Sequence, residues 1–192
     1  MTIQGDQFFV DSTRIDERAI RIFTQPEDLV NPGPHYVTVT AILKTPNSQS
    51  CSGFQLIPID ALGTEYFTLT WQAVNGVAPR QTIAVSSYLS NTVITLNFPP
   101  GVSLLYNGFT YNEGTPLQLT LNRWNTFYVI GQNGQDLSGM MVRSNNRVAV
   151  TTGVVSMRIG VGEEDTLHEQ MVPVNTYGTT HVAVPFDENP YS

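Results

Sequence analysis

The sequence is short of lysine, cysteine, charge and long apolar runs, and each shortage excludes something. Lys44 is the only lysine, and nine basic residues face sixteen acidic ones, for a net charge of −7. No basic patch is available to neutralise phosphates, which argues against nucleic acid and anionic membrane surfaces as partners. Cys51 stands alone and has no partner for an internal disulfide. It lies in the polar stretch "NSQSCSGF" and reads as an exposed free thiol, with an intermolecular bridge as the alternative. No apolar run approaches the roughly 18 residues of a membrane-spanning helix. The opening, "MTIQGDQFFVDSTRIDERAI", has no basic start and no apolar core, so it does not read as a signal peptide. The chain is then either cytosolic or cut from a longer precursor. Only 13% of residues are charged, about half the usual share. Solvent-facing positions are filled instead by Thr, Ser, Asn and Gln, which suits half-buried strands better than helices.

What is present is period-two alternation, almost everywhere. Strands are expected at 19–23, 35–42, 65–71, 82–88, 92–98, 117–122, 127–131, 147–155 and 180–186. Between them lie turn signals such as Asn31-Pro32-Gly33-Pro34, Pro99-Pro100-Gly101, Asn107-Gly108 and Asn112-Glu113-Gly114. This pattern predicts an all-β fold, an antiparallel sandwich-like module of nine or more short strands. Two segments read as hairpins, one turning at Ser87 to Asn91 and the other at Asn122-Arg123-Trp124-Asn125. Residues 1–18 read as an N-terminal arm and 19–192 as a single module.

One stretch occurs twice. "IPIDALGTEYFTLT" begins at Ile57 and "VPVNTYGTTHVAVP" at Val172, with Pro58 answering Pro173 and Gly63-Thr64 answering Gly178-Thr179. The second copy reads as the opening of a following unit in a serial array. "LIPIDALGTEYF", "QTIAVSSYLSNTVITL", "LTLNRWNTFYVIGQNGQDLSG", "VRSNNRVAVTTG" and "HEQMVPVNTYGTTHVAVPF" follow one another in the order of the blocks of a known family. The chain resembles the N-terminal domain of the IgG Fc-binding protein family over roughly residues 19 to 186. The matching positions are Asp60, Leu62, Gly63, Thr64, Glu65 and Tyr66; Asp136 to Gly139; Ser144, Asn145, Val148, Ala149, Val150 and Gly153; and Glu169, Gln170, Pro173, Tyr177 and Gly178. The resemblance also implies a cysteine pair, whose places here hold Ser156 and Glu164, so the loop between them is expected to be looser. It implies an extracellular, non-enzymatic module from matrix, mucus or bacterial envelopes; Fc binding itself does not transfer by fold alone.

The residues that could carry chemistry are few. Glu163, Glu164 and Asp165, with His168 and Glu169 nearby, form a dense acidic cluster. Hard cations favour such oxygens, but the spacing of a calcium loop is missing, and a solvated loop is the plainer reading. His35, His168 and His181 are too scattered to form a metal set. Asp60, Glu65 and Asp136 could serve as paired carboxylates for glycoside hydrolysis. Asp60 and Asp136, however, each precede a Leu and a glycine turn, where a carboxylate commonly fixes the backbone. No cofactor and no catalytic residue is expected. Trp124, Tyr106 and Tyr111 are the candidate binding aromatics, and packing is the competing role for them. His181, Val182, Ala183 and Val184 form an expected assembly edge, open to a neighbouring module or another copy. The expected function is that of a structural, self-associating extracellular module. The alternative is a recognition module that binds a glycoprotein, immunoglobulin or glycan through its loops.

Overall fold

A computed structural model describes residues 2–4, 38–44, 51–71, 80–131, 136–157 and 165–182. The fold is all-β, as the alternation requires. Strands β1 (Thr2–Gln4), β2 (Thr38–Lys44) and β3 (Cys51–Gln55) form a small antiparallel sheet in that order. The main sheet holds β4 (Gly63–Phe67), β5 (Gln81–Ser87), β6 (Thr92–Asn97), β9 (Leu117–Leu121), β10 (Thr126–Ile130), β11 (Met141–Met157) and β12 (Asp165–Gln170). Between β6 and β9 the short strands β7 (Leu104–Tyr106) and β8 (Phe109–Tyr111) form a hairpin at Asn107-Gly108, both with positive φ. Such a turn is built for those two residue types.

The organising element is β11, 17 residues long. Its first part, Met141–Ser144, pairs with β6, and its second, Val148–Val154, pairs with β5. Residues 141–143 pair on the other edge with β4, and residues 151–154 with β12. Both Gly63 and Ser87 are partners of Val148, so β4 and β5 flank β11 on opposite sides. It follows that β5 and β6 run one after the other along the same edge. They do not pair with each other, and neither do β9 and β10, whose partners are β6 and β5.

Both expected hairpins are therefore corners, where the chain keeps its direction instead of reversing. Alternation identifies which side chains are buried but says nothing about the partner strand. The corner is held by side chains. Asn91 and Trp124 sit at φ 55° and 65°, and β11 shifts register against β4 between Arg143 and Val148. Asn145 Oδ1 accepts from Val93 N at 2.8 Å, and Asn145 Nδ2 donates to Asn91 O at 3.2 Å. Trp124 N donates to Ser87 O at 2.8 Å, and Asn146 Nδ2 to Thr92 Oγ1 at 3.1 Å. Across the corner the buried phase moves from odd positions (Ile83, Val85) to even ones (Ile94, Leu96), so both halves point inward. The sheet curls round one core, with Val142, Val148 and Val150 of β11 packed against Ile83, Ile94, Leu117, Phe127 and Leu137. Each such side chain contributes about 1.5–3 kcal/mol on burial.

Four expectations meet a different structure. Cys51 opens strand β3, where no strand was expected. Residues 2–4, assigned to an arm, pair with β2. Asp165, expected in an acidic loop, begins strand β12, while Glu163 and Glu164 lie outside the described residues. Thr180, His181 and Val182 are not in a strand, and 183–186 fall outside the described residues. The expected strand at 19–23 and the position of Glu164 in the implied cysteine pair also fall outside them. Among the described residues no helix is long and apolar enough to cross a membrane.

Candidate functional site

The structure brings the two copies of the repeat together. Each proline opens a single 3-10 turn, Ile59–Ala61 after Pro58 and Val174–Thr176 after Pro173. Backbone angles at the two prolines nearly coincide (φ −59°, ψ 152° and φ −71°, ψ 151°). The closing hydrogen bonds also correspond: Ala61 N donates to Pro58 O at 3.0 Å, and Thr176 N to Pro173 O at 2.9 Å. The fixed φ of proline sets the turn in both cases. The second turn packs on the glycine of the first block. A Cβ at Gly63 would stand 3.2 Å from Asn175 Oδ1 and well inside contact distance of Pro173 Cβ. Gly63 is therefore glycine for lack of room, not for its φ. Gly63→Ala is expected to destabilise the fold by about 1–3 kcal/mol through overpacking, read as a lower urea midpoint.

From Gly63 the chain enters β4, and Tyr66 turns fully inward. Its hydroxyl accepts from Gly63 N at 2.7 Å and donates to Val148 O at 2.6 Å. Burial holds the phenol above its usual pKa, against the opposing pull of the Gly63 hydrogen bond. One side chain thus ties the end of the turn to the central strand. The same segment continues as Phe67, Leu69 and Trp71, which alternate to the outside; Leu69 is 71% exposed. Behind this stripe lies a polar knot. Gln81, almost fully buried on β5, donates to Trp71 O at 2.7 Å and accepts from the Thr70 hydroxyl and from Leu137 N. Thr68 Oγ1 donates to Leu137 O at 2.6 Å, and Ser138 Oγ to Thr70 O at 3.1 Å. Nothing in the sequence marked Gln81; the outward stripe was legible as the alternation of Phe67, Leu69 and Trp71 in the strand expected over 65–71.

The carboxylates do not converge. Asp136 accepts from Ser138 N at 2.9 Å, the turn-fixing role expected of it, and from Thr70 Oγ1 at 3.3 Å. Partial burial would raise its pKa, but the hydrogen bonds from Ser138, Thr70 and Gln81 outweigh burial and hold it below the usual range. Asp60 differs from the expectation: at this turn it is the carbonyl that accepts, from Arg147 Nη1 at 3.1 Å. Glu65 forms an ion pair with Arg143 across the β4–β11 ladder at 2.9 Å, on the surface. A pair so exposed adds little stability.

His168 lies opposite Gly153 in the β11–β12 ladder, and the space a Cβ would take at Gly153 is filled by the His168 ring and by Leu167 O. His168 N donates to Ser52 Oγ at 2.9 Å, which joins β12 to β3. Burial lowers the imidazole below its ordinary 6.5, and Nδ1 is buried without a partner. A lowered histidine takes up a proton less readily when folded than when unfolded. Its contribution to stability is whole above about pH 6.5 and is lost as pH falls through the lowered folded value. The Asp136 contribution survives further and is lost only below the ordinary carboxylate range, by the same sign. Urea midpoints are therefore expected to drop as pH falls below about 6.5, and His168→Gln is expected to flatten that slope.

Of the candidate aromatics, Trp124 is 62% exposed at the β9–β10 corner, with the Arg123 guanidinium 5.1 Å from its ring. Tyr106 and Tyr111 instead pack on the core, Tyr106 edge-on to Phe127 at 5.4 Å. Of the three, only Trp124 is exposed. His181 Nε2 donates to Gly178 O at 3.0 Å, and Val182 is 87% exposed; Ala183 and Val184 lie outside the described residues. Among the described residues no cluster of His, Cys, Asp and Glu could hold a metal.

This arrangement, with a Pro-turn packed on the buried Gly63 and a long central strand whose register shifts between Arg143 and Val148, joins the blocks that carried the resemblance. The family model described as IgGFc binding protein matches residues 52–192. The chain belongs to the IgGFc-binding protein family. Both copies of the repeat lie inside the matched region. An IgGFc-binding protein of Homo sapiens is 33% identical over 131 residues, covering 68% of this chain. The chain spans 2% of that protein's length. No solved structure matches the chain. The family residues now have physical roles in the IgGFc-binding domain. Gly63 receives Pro173, Tyr66 ties β4 to β11, Asn145 holds the corner, and Gly153 makes room for His168.

Proposed function

We propose that the chain is a non-enzymatic, extracellular structural module that associates with copies of itself or with neighbouring modules of a matrix, mucus or fibre protein. The observation that carries this reading is the outward stripe of β4. Among the described residues β4 pairs with β11 alone, and Phe67 at its end and Leu69 and Trp71 just beyond it stand exposed at alternate positions. An exposed apolar stripe of this kind is a place for association, since a neighbour can cover its side chains. The carboxylates weighed for hydrolysis support the same reading, because Asp136 and Glu65 are each committed to a structural contact.

A second reading keeps the sense of the family name, a module that recognises immunoglobulin or another glycoprotein. Trp124 favours it: a bulky residue in the left-handed region costs energy, and such strain gathers at functional positions. The experiment that separates the two immobilises the chain and presents, in turn, the same chain and purified IgG Fc. Saturable binding to itself and none to Fc is the expected result. Saturable Fc binding that Trp124→Ala abolishes, with no self-binding, would replace the structural reading by the recognition one.

A further inference from the structure

The repeat has an unfilled half. In the first block the Pro173 turn covers Gly63, and that contact explains why the residue is glycine. In the second block the corresponding Gly178 is exposed. Among the described residues, a Cβ there would meet nothing nearer than the His181 ring at 3.6 Å, an ordinary contact. Nor does the backbone demand glycine, since the glycines with positive φ are Gly101, Gly108, Gly114 and Gly139. Gly178 thus has the residue of a covered site without the cover. Meanwhile the Pro58 turn has the shape of the Pro173 turn and lies exposed, with Ile59 at 49%. Among the described residues there is therefore one filled copy of this contact, one exposed turn and one exposed glycine.

We infer that Gly178 is the socket for the Pro58 turn of a second copy of this chain, repeating between molecules the contact that Pro173 makes on Gly63 within one. The pairing places Asp60, which holds the position of Asn175, beside Gly178 and the His181 ring. An acceptor again meets the glycine, and its charge suits the imidazole. Turn and socket are different surfaces, so the contact is head to tail, and each added copy exposes a fresh socket. This inference rests on the proposed self-association and specifies its surface.

The test uses the full chain and two variants, Gly178→Leu to fill the socket and Pro58→Arg to spoil the turn. Molar mass is measured against concentration by sedimentation, with thermal melts to show that the fold is kept. Self-association of the wild type, weakened about tenfold or more in each variant, is expected. An equimolar mixture of the two variants is expected to form a discrete heterodimer, since each retains the half that the other lacks. A merely structural role for either residue would not restore pairing on mixing. Wild-type assembly undiminished in Gly178→Leu would overturn the socket and leave self-association standing. Assembly lost in both variants but unrestored on mixing would overturn the head-to-tail pairing. A wild type that stays monomeric at every concentration would overturn the inference together with the function it rests on.

Discussion

Truncation of Tyr66 to alanine is expected to lower the unfolding free energy by about 3–5 kcal/mol, the cost of emptying a large aromatic site. The ring is wholly buried, and its hydroxyl joins Gly63 N to Val148 O. Removing it leaves a cavity against the core and strips partners from both backbone groups. Phenylalanine separates the two effects. Tyr66→Phe keeps the ring and loses only the hydroxyl, so it should cost about 1–3 kcal/mol, the desolvation of unpaired buried groups. Equilibrium urea unfolding of the two variants measures both. Equal losses would mean that the hydrogen bonds, not the packing, dominate at this site.

The second large effect is expected at Gln81. Its amide serves Trp71 O, Leu137 N and the Thr70 hydroxyl at once. Leucine has nearly the same volume but none of that chemistry, so three buried or half-buried groups lose a partner together. At about 1–3 kcal/mol for a group left unsatisfied, Gln81→Leu should rank with Tyr66→Ala. The loss is also local. Hydrogen exchange should rise first at Thr70 and Leu137, while Ile94 and Leu96 on β6 keep their protection. Uniform loss of protection would mean that the polar knot has no separate identity. The stripe of Phe67, Leu69 and Trp71 depends on this knot for its position, so the variant should also weaken self-association.

The sequence showed these features unequally, for physical reasons. Strands β5, β6, β9, β10 and the end of β11 were legible because each buries alternate apolar side chains, which is what alternation records. The corners were not, because Ser87–Asn91 and Asn122–Asn125 carry the same turn chemistry as a hairpin. Only the partner strand distinguishes them, and that partner lies more than 20 residues away along the chain. Polar strands were missed altogether: β3 and β12, tied by His168 N to Ser52 Oγ, carry no alternating apolar run that a pattern could reveal. Asp136 was read correctly because an Asp bonding two residues on is a local motif. Gln81 was invisible because its partners come from three separate segments. Gly63 is glycine because of Pro173, 110 positions onward, and only the fold brings them together.

The repeat thereby changes meaning. As sequence it suggests a unit followed by the start of another. As structure it is a turn and a glycine that fit each other, with one fit made inside the molecule. In the second block the corresponding Gly178 stands exposed, and the proposed self-association gives it a partner.

The measurement that tests this most directly is the molar mass of the wild-type chain in solution across a wide range of concentration, with and without reductant. The account predicts growth above 21.2 kDa with concentration, unchanged by reductant because the contacts are non-covalent. A single 21.2 kDa species under all conditions, or growth abolished by reductant and hence owed to Cys51, would contradict it.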